Sequence, residues 1–382
     1  MTNEQRYLLY LINCAVKGEH AKHPDFDIDW TAFSKYIEEQ QFEHIMYPLF
    51  KDQKPDMDPK VWHHLHQRYG RSVVRDTNQD LALAEICEAF SEAGIAHMPL
   101  KGSVVKRYYP LPELRYSGDF DILVHEEDME RASAILIENG FTCGSKGIGA
   151  HDIFARDKLH IELHHSLVHD YNISYDFCRT VWDYSEAEDG CTCSMSDEFL
   201  YVYMLIHLRK HILYSGGAGI KLILDIYIMR KELNLDKDIL NEFLRSAKIE
   251  YFNECMVKLE QKWFEGIDCD EENVLITEEI ILNSGAYADY GRYLNMLMSD
   301  EDEDKFRQNK AKRFIGYLFP PARVLKGKYK VLEKHPYLLP VMWIARFATA
   351  KREKAAAVAK SFKSIHEDEA VKLNRYINNM SK

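Results

Sequence analysis

Apolar residues recur at helical spacing through the first quarter of the chain. Tyr7, Leu8, Leu11, Ile12 and Ala15 share one helical face, and Phe33, Tyr36 and Ile37 form a second after Asp29-Trp30-Thr31, which reads as a cap. Residues 59–93 predict a longer helix stopped by Gly94. The period then changes. Residues 95–100 are a short apolar run that suits a strand, Lys101-Gly102-Ser103 breaks it, and 104–109 turns helical. Phe120 and Ile122 alternate with Asp119 and Asp121, so the two acids share one face of a strand and the two apolar residues enter a core. A helix follows from Glu126, with Met129, Ala132, Ile135 and Leu136 inward, ending at Asn139-Gly140. Residues 141–143, 153–156 and 159–163 complete about five short strands, the last carrying Glu162 between Ile161 and Leu163.

Those acids change the picture. Asp119, Asp121 and Glu162 on neighbouring strands would repel one another and raise one another's pKa, and a hard divalent cation with oxygen ligands is the usual relief. The Gly102-Ser103 turn, opening a helix, offers free N–H groups to phosphate oxygens. The motifs Leu-Lys-Gly-Ser at 100–103, Leu-Arg-Tyr-Ser-Gly-Asp-Phe-Asp-Ile-Leu-Val at 114–124 and Ile-Glu-Leu-His at 161–164 resemble the polymerase-β-type nucleotidyltransferase superfamily, and most of all its bacterial branch of uncharacterised nucleotidyltransferases. The resemblance implies that Gly102 and Ser103 bind triphosphate, and that Asp119, Asp121 and Glu162 bind Mg²⁺ or Mn²⁺ and carry the catalysis. Lys101 or Arg115 would balance the pyrophosphate charge. The spacer 104–118 is slightly longer than the superfamily norm.

Residues 197–300 return to helices, with Ser196-Asp197-Glu198 as a cap and an apolar helix from Ile220 that carries Asp225. Asp225 is the one acid among Leu222, Ile223, Leu224, Ile226, Tyr227 and Ile228, so it needs a partner, and His207, His211 or a ligand could serve. The resemblance implies that this part closes over the nucleotide, with His207, His211 and Asp225 lining the same cleft as Asp119. Histidines also cluster around Glu162, at His160, His164, His165 and His169. A zinc hydrolase would need His-Glu-x-x-His; His207 and His211 have that spacing, but Leu208 stands where the Glu belongs, so these histidines read as structural. The loop 144–150 is glycine-rich without a P-loop ending and reads as a hairpin or flap, with Lys146 within reach of phosphates.

The expected fold class is α+β, a small mixed-sheet nucleotidyltransferase core between helical regions. Its parts are an N-terminal helical region (1–93), the core (94–190), a helical domain closing the nucleotide cleft (191–299) and a basic helical region (300–382). The N-terminal region would shape one wall of an acceptor pocket or simply support the core. Length and composition agree: 382 residues, 46% hydrophobic, hold two or three domains. The net charge of −12 argues against nucleic acid as a partner, although residues 305–360 carry 15 Lys and Arg against two Glu. The acidic run 300–304 reads as a linker. Eight cysteines show no disulfide or zinc framework, and no leader or stretch of about 20 apolar residues is evident, so a cytoplasmic protein is expected. The reading is therefore an enzyme that moves a nucleoside monophosphate from an NTP to an unidentified small-molecule or protein acceptor. The alternatives are a catalytically silent nucleotide-binding regulatory module and an RNA-modifying nucleotidyltransferase that uses the basic segment.

Overall fold

The computed structural model describes residues 1–50, 57–115, 117–145, 150–285, 312, 315–316, 318–325, 329, 331–349 and 367–381. Lys146, the acidic run 300–304 and much of the basic segment lie outside the described residues. Helix α1 (Asn3–Lys17) starts at a capping box between Thr2 and Gln5, and α2 (Trp30–Glu39) starts where Asp29 accepts the N–H groups of Thr31 (2.9 Å) and Ala32 (3.1 Å). The short α3 (Met46–Phe50) leads to α4 (Pro59–Glu92), which has Pro at its first turn and Asp58 as its cap.

The sheet holds β1 (His97–Leu100), β2 (Phe120–Val124), β3 (Thr142–Ser145), β4 (His151–Arg156), β5 (Leu159–His164), β6 (Ser185–Asp189) and β7 (Thr192–Met195) in the order β3-β4-β5-β2-β1-β7-β6. Seven strands replace the five that alternation predicts. The added pair, β6 and β7, is polar and joins the sheet at one edge, where His97 pairs with Thr192. Strands β2 and β5 run parallel, joined through α6 (Met129–Glu138), while β1 with β2 and β4 with β5 are antiparallel. The helix predicted at 104–109 is instead the four-residue α5 (Gly102–Val105) followed by a 3₁₀ turn that ends before Pro110.

One sheet face buries Phe120, Ile122, Val124, Phe154, Ile161 and Leu163 against α4 and α6, through Ala82, Ile86, Phe90, Ala132 and Leu136. Helix α4 therefore supports the sheet from behind. The other face meets the larger core, which runs through α7 (Tyr175–Cys178), α8 (Asp197–Tyr214), α9 (Ile220–Glu232), α10 (Lys237–Ser246), α11 (Glu250–Glu260) and α12 (Glu272–Ser284), and takes in Tyr376 and Met380 of the helix Glu367–Met380. Helix α8 is apolar nearly all round, as a helix buried on all sides must be. The eight cysteines are free. Among the described residues no helix is long and apolar enough to cross a membrane.

Candidate functional site

Strand register builds the site. On the parallel pair, Asp121 stands directly opposite Glu162, and Leu100, the last residue of β1, stands opposite Asp121. Alternation sends both carboxylates to the face opposite Phe120 and Ile122. Lys101 follows Leu100 at φ +51°, ψ −124°, a conformation that a residue with a Cβ adopts only under constraint, at a cost of roughly 1–3 kcal/mol. Its ammonium lies 2.5 Å from Asp121 Oδ1 and 3.6 Å from Glu162 Oε2. His164, two residues beyond Glu162 on the same face, donates from Nε2 to Asp121 Oδ1 (2.9 Å) and lies 3.3 Å from Glu162 Oε2.

These contacts correct the expectation that three acids raise one another's pKa. Burial alone would raise Asp121, but the Lys101 charge and the His164 hydrogen bond overcome it and hold its carboxyl well below the usual range. Glu162 is lowered too: burial opposes its charge, and the His164 hydrogen bond and Lys101 prevail. Only Asp119 is raised, by burial first and then by the charges of Asp121 and Glu162. Reciprocally, the carboxylate partners of Lys101 and His164 overcome burial and raise the pKa of both.

The turn after β1 opens α5. The N–H groups of Val104 and Val105 close on the Lys101 carbonyl at 3.1 and 2.9 Å, so those of Gly102 and Ser103 stand at the open end. The Ser103 hydroxyl donates to the Leu100 carbonyl (2.9 Å) and is buried. Gly102 packs so closely on the loop before β2 that a Cβ there would stand 2.6 Å from Ser117 Oγ. Gly102→Ala is therefore expected to displace Ser117 and shift the turn.

Arg115 and Asp225 come together with each other. Asp225 is fully buried and accepts from Arg115 Nε (2.6 Å), Arg115 Nη2 (2.7 Å) and the Tyr109 hydroxyl (2.7 Å). Its partners are thus an arginine and a tyrosine, where the sequence pointed to a histidine or a ligand. This clamp ties α9 to the loop that delivers Asp119. His207 lies on α8 and lines a cavity of about 40 Å³ with Lys101, Glu162, His164, Tyr203 and Lys210, whereas Asp119 lines a separate small cavity with Ser103, Lys106 and Ser117. His211 is its ring neighbour at 4.6 Å. Burial keeps both neutral, His207 well below its ordinary pKa and His211 at about 4.

Four residues near the carboxylates escape the sequence reading. Tyr203 and Lys210 carried a signal, since 203, 207 and 210 form an i, i+4, i+7 stripe of polar groups on an apolar helix. His151 on β4 and Lys221 at the start of α9 carried none. Lys221 is brought down to about 7 by burial and by Arg115, with Asp225 and Asp119 pulling the other way. A much larger cavity of about 1060 Å³ lies along α4, lined by Arg71, Arg75, Lys158 and their neighbours, and includes none of the three acids.

The model of a family described as "Uncharacterised nucleotidyltransferase" matches residues 27–265, a span that contains every strand and every residue of this site. No curated protein and no solved structure matches the chain.

Proposed function

The chain belongs to this family of uncharacterised nucleotidyltransferases, and from that premise we propose that it transfers a nucleoside monophosphate from an NTP to a small-molecule or protein acceptor, with release of pyrophosphate. The observation that carries the reading is the register of Asp121 against Glu162 beside the Lys101-Gly102-Ser103 turn, with Asp119 at the entry of β2. The donor set suits Mg²⁺ or Mn²⁺ in kind, since it offers carboxylate oxygens and Lys101 Nζ stands as a cation between those of Asp121 and Glu162, while the three acids do not bring one oxygen each within 4.8 Å of one another. Held by Asp119, Asp121 and Glu162, such an ion would neutralise triphosphate charge and lower the pKa of the attacking group.

The remaining work falls to the chain's own groups. Lys101 and His164 keep Asp121 and Glu162 ionised before substrate arrives. The N–H groups of Gly102 and Ser103 donate to phosphate oxygens. Lys101, released from Asp121, and Lys221 meet the charge of the leaving pyrophosphate. The Arg115–Asp225 clamp acts at one remove, by holding the loop that carries Asp119.

The test is pyrophosphate release with Mg²⁺ or Mn²⁺ across the four NTPs and a panel of hydroxyl-bearing acceptors. Metal-dependent release supports the proposal; nucleotide binding without release over the whole panel would favour a silent regulatory module. A second measurement isolates Lys221. With a pKa of about 7 it is mostly neutral at pH 8, and phosphate beside it would raise that value again, so binding of a non-hydrolysable NTP at pH 8 is expected to take up protons. Calorimetry in buffers of different ionisation enthalpy reads this uptake. Lys221→Met is expected to lose it and to bind about tenfold more weakly. Identical proton counts in both proteins would remove Lys221 from the site.

A further inference from the structure

The side chains beside the oxygen donors are of another kind. His151 pairs across β4 and β5 with His164, and Glu162 lies two residues before His164, so alternation brings all three to one face. One ligand atom from each lies within 4.8 Å of the others, and among the described residues this is the one such group of three. His164 Nε2 is 3.3 Å from Glu162 Oε2, His151 Nε2 is 3.7 Å from Glu162 Oε1, and the two rings stand 4.8 Å apart. Nitrogen and oxygen ligands at zinc distances of about 2.0–2.1 Å in a tetrahedron stand about 3.3 Å from one another. Each imidazole thus stands near ligand spacing from one oxygen of Glu162, His164 from Oε2 and His151 from Oε1, and a small rotation of the carboxylate with an approach of half-buried His151 would bring one atom of each to an ion.

A second observation points to an occupant. The cavity of about 40 Å³ that these residues line has room for an ion and a water. One of its walls, the fully buried Tyr203, keeps its hydroxyl without a hydrogen-bond partner in the structure. Buried polar groups are rarely left so.

We propose that His151, Glu162 and His164 form a binding site for a divalent transition-metal ion of the zinc class, with its open position facing Tyr203. The site shares Glu162 with the oxygen-donor cluster but differs in chemistry: two imidazoles and one carboxylate select Zn²⁺, Co²⁺ or Fe²⁺ over Mg²⁺. Its existence does not depend on nucleotidyl transfer. The ion takes the place of the proton that His164 Nε2 now shares with Asp121 and Glu162, and that proton leaves to solvent. Lys101 tolerates the arrangement because its ammonium sits on Asp121, at 2.5 Å, rather than on Glu162, at 3.6 Å.

The experiment uses the full chain, stripped with chelator and titrated with Co²⁺ alone and then Zn²⁺ alone. A visible ligand-field band and Zn²⁺ binding at micromolar or tighter affinity are expected. His151→Gln and His164→Gln should each weaken Zn²⁺ by about a hundredfold or more, because losing a ligand exceeds the roughly 10–100-fold effect of losing an outer partner. Asp119→Asn should leave Zn²⁺ affinity unchanged while disturbing Mg²⁺-dependent nucleotide binding, which separates this site from the proposed catalytic one. Should His164→Gln fail to fold, His151→Gln, which does not touch Asp121, carries the test. Absent binding, unchanged affinity in His151→Gln, or a near-ultraviolet thiolate band placing the ion on cysteines would each overturn the proposal.

Discussion

Replacing Asp121 with Asn is expected to lower the unfolding free energy by about 3–5 kcal/mol, whereas Asp119→Asn should leave it level or raise it slightly, though both abolish pyrophosphate release. The contrast follows from charge environment. Asp121 is 4% exposed and accepts from Lys101 and His164, so its removal takes the charged acceptor from the Lys101 ammonium and from buried His164, and breaking such a pair costs about that much. Asp119 is held above its ordinary pKa by burial and by its two neighbouring carboxylates, so a neutral isostere relieves repulsion. The pH dependence has a definite sign. Because Asp121 is depressed in the folded state, its contribution is present above the unfolded value of about 3.9 and is lost as pH falls toward the folded value. The gap between wild type and Asp121→Asn should therefore hold at neutral pH and narrow below about pH 4. Denaturant titrations at several pH values read it, and adding Lys101→Met to Asp121→Asn should recover part of the loss. Equal stabilities for Asp119→Asn and Asp121→Asn at pH 7 would refute this account.

The second large effect lies in the clamp. Asp225→Asn is expected to cost about 3–5 kcal/mol, since it removes the charged bidentate acceptor of Arg115, itself only 4% exposed. Tyr109→Phe removes one hydrogen bond to the charged acid and should cost about 1.5–3 kcal/mol. The double change Arg115→Met, Asp225→Leu should cost less than either single change, because an apolar pair leaves no buried charge alone. Turnover should fall in Asp225→Asn with little change in nucleotide KM, as expected of a residue that positions the Asp119 loop. A stability loss below about 1 kcal/mol, or a double mutant worse than both singles, would show that the pair does not hold α9 to the loop.

Much of this was legible along the chain. Strand β2 follows from the alternation of Phe120, Asp121 and Ile122, because a period of two admits one burial pattern. Helix α4 was readable to within a residue at its end, since Asp58 and Pro59 open it and Gly94 closes it, all by local backbone chemistry. The face shared by Asp121 and Glu162 was readable for the same reason. What stayed hidden depends on partners far away in sequence. Strands β6 and β7 have little apolar alternation of their own; they pair with each other and join the sheet through His97 against Thr192. The charge state of the acids depends on Lys101 and His164, which the turn and the register bring to them, so proximity of acids alone gave the wrong sign for Asp121 and Glu162. The partner of Asp225 stands 110 residues earlier. Local pattern determined which residues face inward and which carboxylates share a face, because periodicity is a property of neighbours. Only the tertiary structure decided which buried charge meets which, and which strand brings His151 to Glu162, because Coulomb and coordination energies depend on distances that sequence separation does not encode.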